Sequence, residues 1–236
     1  MEIQCFRIHD KLVEFSWPPL ISEEILHELD LVSQYLLKTY GEGIKEIRKG
    51  YHSLSLRLHI GISEEDCRDL IKEFKTLQKS SIALSKKTWQ LPVAYGGDFG
   101  RDLAQLAKIH KMSQEEIVER HVSGHYIVHF YGFLPGFMYL GGLDPSLFTP
   151  RKSKPDRLMS KGSVAIGGHQ TGIYPMESPG GWYAIGKCPI PLFDITSDPP
   201  VQIQVGDCVR FVSIDVDSFK AIQELSELGN YHLQHD

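Results

Sequence analysis

Residues 131–194, YGFLPGFMYLGGLDPSLFTPRKSKPDRLMSKGSVAIGGHQTGIYPMESPGGWYAIGKCPIPLFD, leave this chain the least freedom. Glycine and proline recur every few positions, aromatic residues sit between them, and no helical period runs through. Glycine admits positive φ and close backbone approach, while proline fixes φ and withholds an N–H. The stretch therefore excludes a helical bundle. Phe133, Phe137, Tyr139, Tyr174, Trp182 and Phe193 carry too much apolar surface for a disordered linker. Short strands joined by tight loops are expected, with some loops lining a pocket. A functional site is expected here.

The remaining composition sets bounds. Of 236 residues, 42% are apolar and 23% charged, the proportions of a chain that buries a full core. A net charge of -5 leaves no electrostatic footprint for nucleic acid. Arg151, Lys152, Lys154 and Arg157 form a local basic cluster, readable as a solvated loop or an anion-binding one. Cys5, Cys67, Cys188 and Cys208 are widely separated without a CxxC pair, which suits reduced thiols better than a disulfide framework or a zinc site. No signal-like start is seen, and no run reaches the roughly 18 apolar residues of a membrane span. A cytoplasmic protein without membrane attachment is expected.

Before the central stretch, residues 1–9 and 12–17 alternate as strands. Ser22 caps a helix with Ile25, Leu29, Val32, Leu36 and Leu37 on one face. Strands follow over 44–48 and 52–59, the second with Leu54, Leu56 and Leu58 on one side. Ser63 and Asp66 cap another helix, with Cys67, Leu70, Ile71, Phe74 and Leu77 inward. A strand over 87–94 completes the order β, then βαββαβ. That order predicts a ferredoxin-like α/β domain over 1–93, an antiparallel sheet with two helices on one face. A second domain is expected over 94–236. It has a helix over 103–109, a Ser113/Glu116 capping box for a second, a strand over 125–133, two strands within 201–214, and a terminal helix from 217. The class is α+β.

Three motifs lead nowhere. Residues 181–187 satisfy GxxxxGK, but Cys188 replaces the hydroxyl residue and Pro189 and Pro191 forbid the helix that would hold phosphates. His121, His125 and His129 are spaced by four, yet same-face residues four apart on a strand stand about 13 Å from each other, too far to share a metal ion. His121 and His125 read as satisfied or surface histidines. His129 is carried toward the 132–136 loop, where it can act as an acid/base group or hydrogen-bond partner. There is no GxSxG elbow. Asp98, Arg151, Arg157, His169, Gln170, Glu177 and Ser178 remain as polar groups among glycine, proline and aromatics, where sites are built; each alone serves equally as a loop tie. Trp182 serves equally as core.

GFLPGFMYLGGLD, TPRK, KGSVAIGGHQTGIYPMESPGGW and IGKCPIPLFD, with YGGDFGRDL and VGDCVRFVSI on either side, resemble the KipI/PxpB family, also called allophanate hydrolase subunit 1. The family covers the smaller subunit of bacterial 5-oxoprolinase. The resemblance spans about residues 93–215. It implies a cyclophilin-like β-barrel for the second domain, a larger KipA/PxpC-type partner and a LamB/YcsF-type PxpA subunit. The implied activity is ATP-dependent opening of 5-oxo-L-proline to L-glutamate, with ATP and magnesium at the level of the complex and no cofactor or metal evident in this chain alone. The alternative is a module whose barrel surface grips a sporulation histidine kinase. Leu134, Ser160-Lys161 and His169 depart from the family pattern. His169 adds a titratable group beside Gln170. For the enzyme reading, Arg151 and Arg157 are expected to contact phosphate or carboxylate. Gln170 and the Gly167 and Gly168 amides are expected to hold a carbonyl, Glu177 or His129 to move protons, and His169 and Trp182 to line the substrate pocket.

Overall fold

The computed structural model describes residues 2–77 and 87–236. The chain divides into two compact units, Met1–Ala83 and Leu84–Asp236. The first contains β1 (Gln4–His9), β2 (Leu12–Ser16), α1 (Glu23–Tyr40), β3 (Ile44–Lys49), β4 (Ser53–Leu58) and α2 (Glu64–Thr76). Its sheet runs β1-β2-β4-β3, with every neighbouring pair antiparallel. Val13, Phe15, Leu54 and Leu56 turn one face toward Ile25, Leu29, Leu36, Cys67 and Phe74 of the helices. The Ser22 side chain accepts from Ile25 N–H, and the Ser63/Asp66 capping box closes in both directions. Leu37, expected inward, is instead exposed, because the buried stripe of α1 passes through Val32, Ser33 and Leu36.

The expected boundary at residue 93 moves. The strand read over 87–94 is β5 (Thr88–Tyr95), and it belongs to the second unit. It runs parallel to β13 (Cys208–Ser213) over six register pairs from Cys208↔Thr88 to Ser213↔Val93. The first unit's sheet is completed at that edge by β1, its first strand, rather than by a last one.

The second unit adds α3 (Leu103–His110), α4 (Gln114–Ser123), β6 (Tyr126–Tyr131), β7 (Met138–Gly141), β8 (Asp156–Met159), β9 (Ser163–Gly167), β10 (Gln170–Ile173), β11 (Ser178–Gly180), β12 (Tyr183–Lys187) and α5 (Val216–Glu227). Seven strands close into a barrel in the order β10-β7-β6-β13-β5-β12-β9, and β8 pairs with β11 beside it. Leu91, Val93, Val128, Leu140, Val164, Ile166, Ile185 and Phe211 fill the interior, and Leu103, Leu106 and Ile117 of the helices join the same core. Of the two strands expected within 201–214, only β13 forms. The Asp207 carboxylate accepts from Gln204 N–H at 2.9 Å and from the Trp89 indole N–H at 2.8 Å, bending the preceding residues into a turn.

Candidate functional site

Side chains alternate across a strand, so the barrel carries a second set of residues on its outside. The register places Ala165 and Gly167 of β9, Gln170 and Gly172 of β10, and Ala184 of β12 on that outer face, opposite in parity to the inward Ile166, Thr171 and Tyr183. Most of these positions are small. The space above them is taken by aromatic rings: Phe137, Tyr174 and Trp182 cluster there with Met159, Ala165 and Ala184. The Phe137 ring meets Tyr174 edge-on at 5.2 Å and Trp182 at 5.5 Å.

These rings wall a cleft of about 260 Å³ lined by Phe133, Phe137, Tyr139, Tyr174 and Trp182, with Pro155, Pro179, Gly180 and Gly181 at its edges. One charged side chain enters it. The Arg151 guanidinium stands 5.7 Å over the Trp182 ring, a cation–π position. Burial pushes the Tyr174 phenol up to about 12 against an opposing pull from Arg151, and raises Tyr139 against the same pull. Both phenols are neutral hydrogen-bond donors at neutral pH. The cleft thus offers apolar ring faces, two phenolic O–H groups and one guanidinium, a combination suited to a small ring bearing an anionic group. Cavities of about 410 and 450 Å³ in the first unit are larger. They hold none of the candidate site residues, and the first is walled mainly by aliphatic side chains such as Leu36, Ile44 and Leu56.

The loop bearing Arg151 is tied down by its neighbour. Lys152 N–H donates to Gly181 O at 2.8 Å, and Lys152 Nζ bridges Asp102 at 2.8 Å and Asp156 at 2.7 Å. Asp102 Oδ2 accepts the Ala184 N–H at 2.8 Å, and Arg101 binds Asp156 at 2.7 Å. Burial works to raise the Asp156 carboxyl, but Lys152 and Arg101 outweigh it and hold the group below its usual range. This four-residue network joins segments some fifty positions apart, and no local pattern in the sequence announces it.

The 132–136 loop leading into the cleft is strained. Leu134 N–H donates to Gly132 O at 2.7 Å across Phe133, whose φ is +63°. A hydrogen bond two residues back over a positive-φ centre is the rare γ-turn, and the left-handed region costs a residue with a β-carbon about 1–2 kcal/mol.

The expected site residues scatter. Arg151 and Trp182 line the cleft. Gly167 lies beneath the Trp182 indole. Gln170 shares the outer face, and its buried Oε1 has no hydrogen-bond partner. Gly168 is already engaged, because it and Thr149 exchange N–H···O bonds of 2.6 and 3.0 Å. Of the two amides expected to hold a carbonyl, that of Gly168 is therefore occupied. His169 is exposed and stacks on Phe148 at 4.4 Å. Arg157 and Glu177 are exposed and outside the cleft lining. His129 is buried within β6 and is outside the cleft lining. The GxxxxGK run leads into and along β12, and no helix directly follows it. Among the described residues, no three His, Cys, Asp or Glu side chains are grouped to hold a metal, and no helix is long and apolar enough to cross a membrane.

Comparison with known proteins agrees with this architecture. Residues 2–203 match the family model described as carboxyltransferase domain, subdomain C and D. The 5-oxoprolinase subunit designated B in Bacillus subtilis (strain 168) is 44% identical over 143 residues, covering 61% of this chain and 60% of that protein. Its namesake from Escherichia coli O157:H7 is 45% identical over 146 residues, covering 61% of this chain and 67% of its own length. The alignments thus span about three fifths to two thirds of these relatives. The crystal structure of the K. lactis urea amidolyase superposes over 99% of this chain and 16% of its own, with a TM-score of 0.85 at 17% identity, a likeness of fold.

Proposed function

The chain belongs to the family of carboxyltransferase domains, subdomains C and D, and from that membership we propose that it serves as the PxpB-type subunit of an ATP-dependent 5-oxoprolinase. In this reading it acts in the cytoplasm with a larger KipA/PxpC-type subunit and a LamB/YcsF-type PxpA subunit to open 5-oxo-L-proline to L-glutamate. The barrel is then of the cyclophilin-like kind. The first unit is a ferredoxin-like sheet whose edge strand comes from the front of the chain.

One observation carries the reading: a lone guanidinium, Arg151, poised over Trp182 at an otherwise aromatic cleft. 5-Oxo-L-proline is a five-membered lactam with one carboxylate. Its ring face suits Phe137, Tyr139 and Trp182, and its carboxylate suits Arg151. Gln170, its buried Oε1 unpaired, shares the outer face of the barrel but lies outside the cleft lining and receives no role in it. Amide resonance makes the lactam carbonyl unreactive, so ATP is used to phosphorylate its oxygen. Water then adds at that carbon and the ring C–N bond breaks, the nitrogen taking up a proton, which leaves an acyl phosphate; a second water releases the phosphate and leaves the carboxylate. The chain's own part is to bind and orient the ring. The glycine-rich run over 181–187 forms a barrel strand rather than a phosphate cradle, so ATP and its magnesium are assigned to the complex. His129 and Glu177 lie outside the cleft lining and receive no role in it. The names of the relatives favour the enzyme subunit over the histidine-kinase inhibitor.

The test is 5-oxoproline-dependent ATP hydrolysis with all three subunits and with this chain left out. Glutamate formed only when the chain is present supports the proposal. Equal glutamate without it removes the proposal.

A further inference from the structure

Among the described residues, two that are not glycine take positive φ, Lys111 and Phe133. Lys111 has a structural reason: it ends α3, and its N–H bonds back to Ala107 and Lys108 carbonyls. Phe133 has none of that kind. It centres the γ-turn closed by Leu134 N–H and Gly132 O, and the loop is completed by Gly132 N–H to Phe137 O at 3.2 Å and Phe137 N–H to Leu134 O at 3.0 Å. These bonds demand left-handed backbone at residue 133, which glycine provides without strain. They do not demand an aromatic ring. The residue is also 60% exposed, so it is held largely in water on strained backbone. It stands edge-on at 5.5 Å to Phe137 and 6.3 Å to Tyr174, forming the outer wall of the cleft. Strained non-glycine backbone persists where function needs the side chain it presents.

We propose that Phe133 is a ligand-contacting residue whose ring, in the same cleft lining as Trp182, packs on the apolar face of the bound lactam. The inference rests on the reading that the cleft takes 5-oxo-L-proline, and it adds a specificity element: the site selects ring substrates with an apolar face over open-chain carboxylates.

The experiment uses Phe133→Gly and Phe133→Leu in the full chain, read by urea unfolding and by kinetics in the three-subunit complex. Phe133→Gly is expected to unfold at the same or a higher midpoint than wild type. Its KM for 5-oxo-L-proline is expected to rise about tenfold, the loss of one aromatic contact, with Phe133→Leu between. A lower midpoint for Phe133→Gly would make the ring a packing element and overturn the inference. So would an unchanged KM in a complex whose wild-type form turns over 5-oxoproline. A wild-type complex without such turnover sinks the functional reading and this inference together.

Discussion

Trp182 lies directly over Gly167, so closely that a β-carbon on Gly167 would stand 2.4 Å from the indole. The two residues are brought opposite each other by the pairing of β9 with β12. The missing side chain on one strand lets the ring of the other lie flat against the barrel, with Arg151 above it. Gly167→Ala therefore forces the indole away. Overpacking of this kind destabilises by about 1–3 kcal/mol. Urea unfolding should show that loss together with a shift in tryptophan emission. An unchanged midpoint and spectrum would mean that the indole does not rest on Gly167.

His121 is enclosed by the barrel with a hydrogen bond on each nitrogen: Tyr95 at 2.8 Å on Nδ1 and Thr171 at 2.9 Å on Nε2. Because the Thr171 hydroxyl donates to Ala165 O at 3.1 Å, Nε2 must carry the proton and Nδ1 must accept from the Tyr95 hydroxyl. Burial lowers the His121 pKa from 6.5 to about 3. The unfolded chain takes up a proton below its ordinary value, while the native chain resists until much lower pH. Stability is thus fully present above about pH 6.5 and falls as pH drops toward 3, by up to about 1.4 kcal/mol per pH unit. Urea midpoints between pH 7 and 5 should fall more steeply for wild type than for His121→Gln. Equal slopes would remove His121 as the cause.

Lys152 is the counter-charge for Asp102, whose side chain is 10% exposed. Lys152→Met leaves that carboxylate beside the Ala184 N–H with only the more distant Arg101 Nε, 3.8 Å away, as a cation, a loss of up to about 3 kcal/mol. The double change Lys152→Met with Asp102→Asn should recover part of it in a double-mutant cycle. A single variant as stable as wild type would show the pair to be solvated rather than structural.

Much of the fold is legible because its signals are local. The Ser63/Asp66 and Ser113/Glu116 boxes sit within one helical turn and form as read, and the alternation through Leu54, Leu56 and Leu58 forms β4. What misleads is long-range pairing. The 88–95 strand looks like the end of the first domain until β13, about 120 residues later, claims it. The alternation over 201–206 is overridden by one carboxylate, Asp207. Around the cleft, the glycine-, proline- and aromatic-rich stretch contains Arg151 and Trp182, which line it, and Gly167, which lies beneath the indole. The Asp102–Lys152 bridge depends on tertiary closure, which no spacing encodes, and the turn at Phe133 puts a non-glycine residue at positive φ, where residue type points the other way.

Arg151→Ala, assayed in the assembled complex for its KM toward 5-oxo-L-proline, tests most directly whether this cleft holds the substrate carboxylate. The side chain is exposed, so the unfolding midpoint should stay within about 0.5 kcal/mol of wild type. The KM should rise about 10- to 100-fold, the loss of a charge-assisted carboxylate contact. A KM equal to that of the wild-type complex would place the substrate elsewhere.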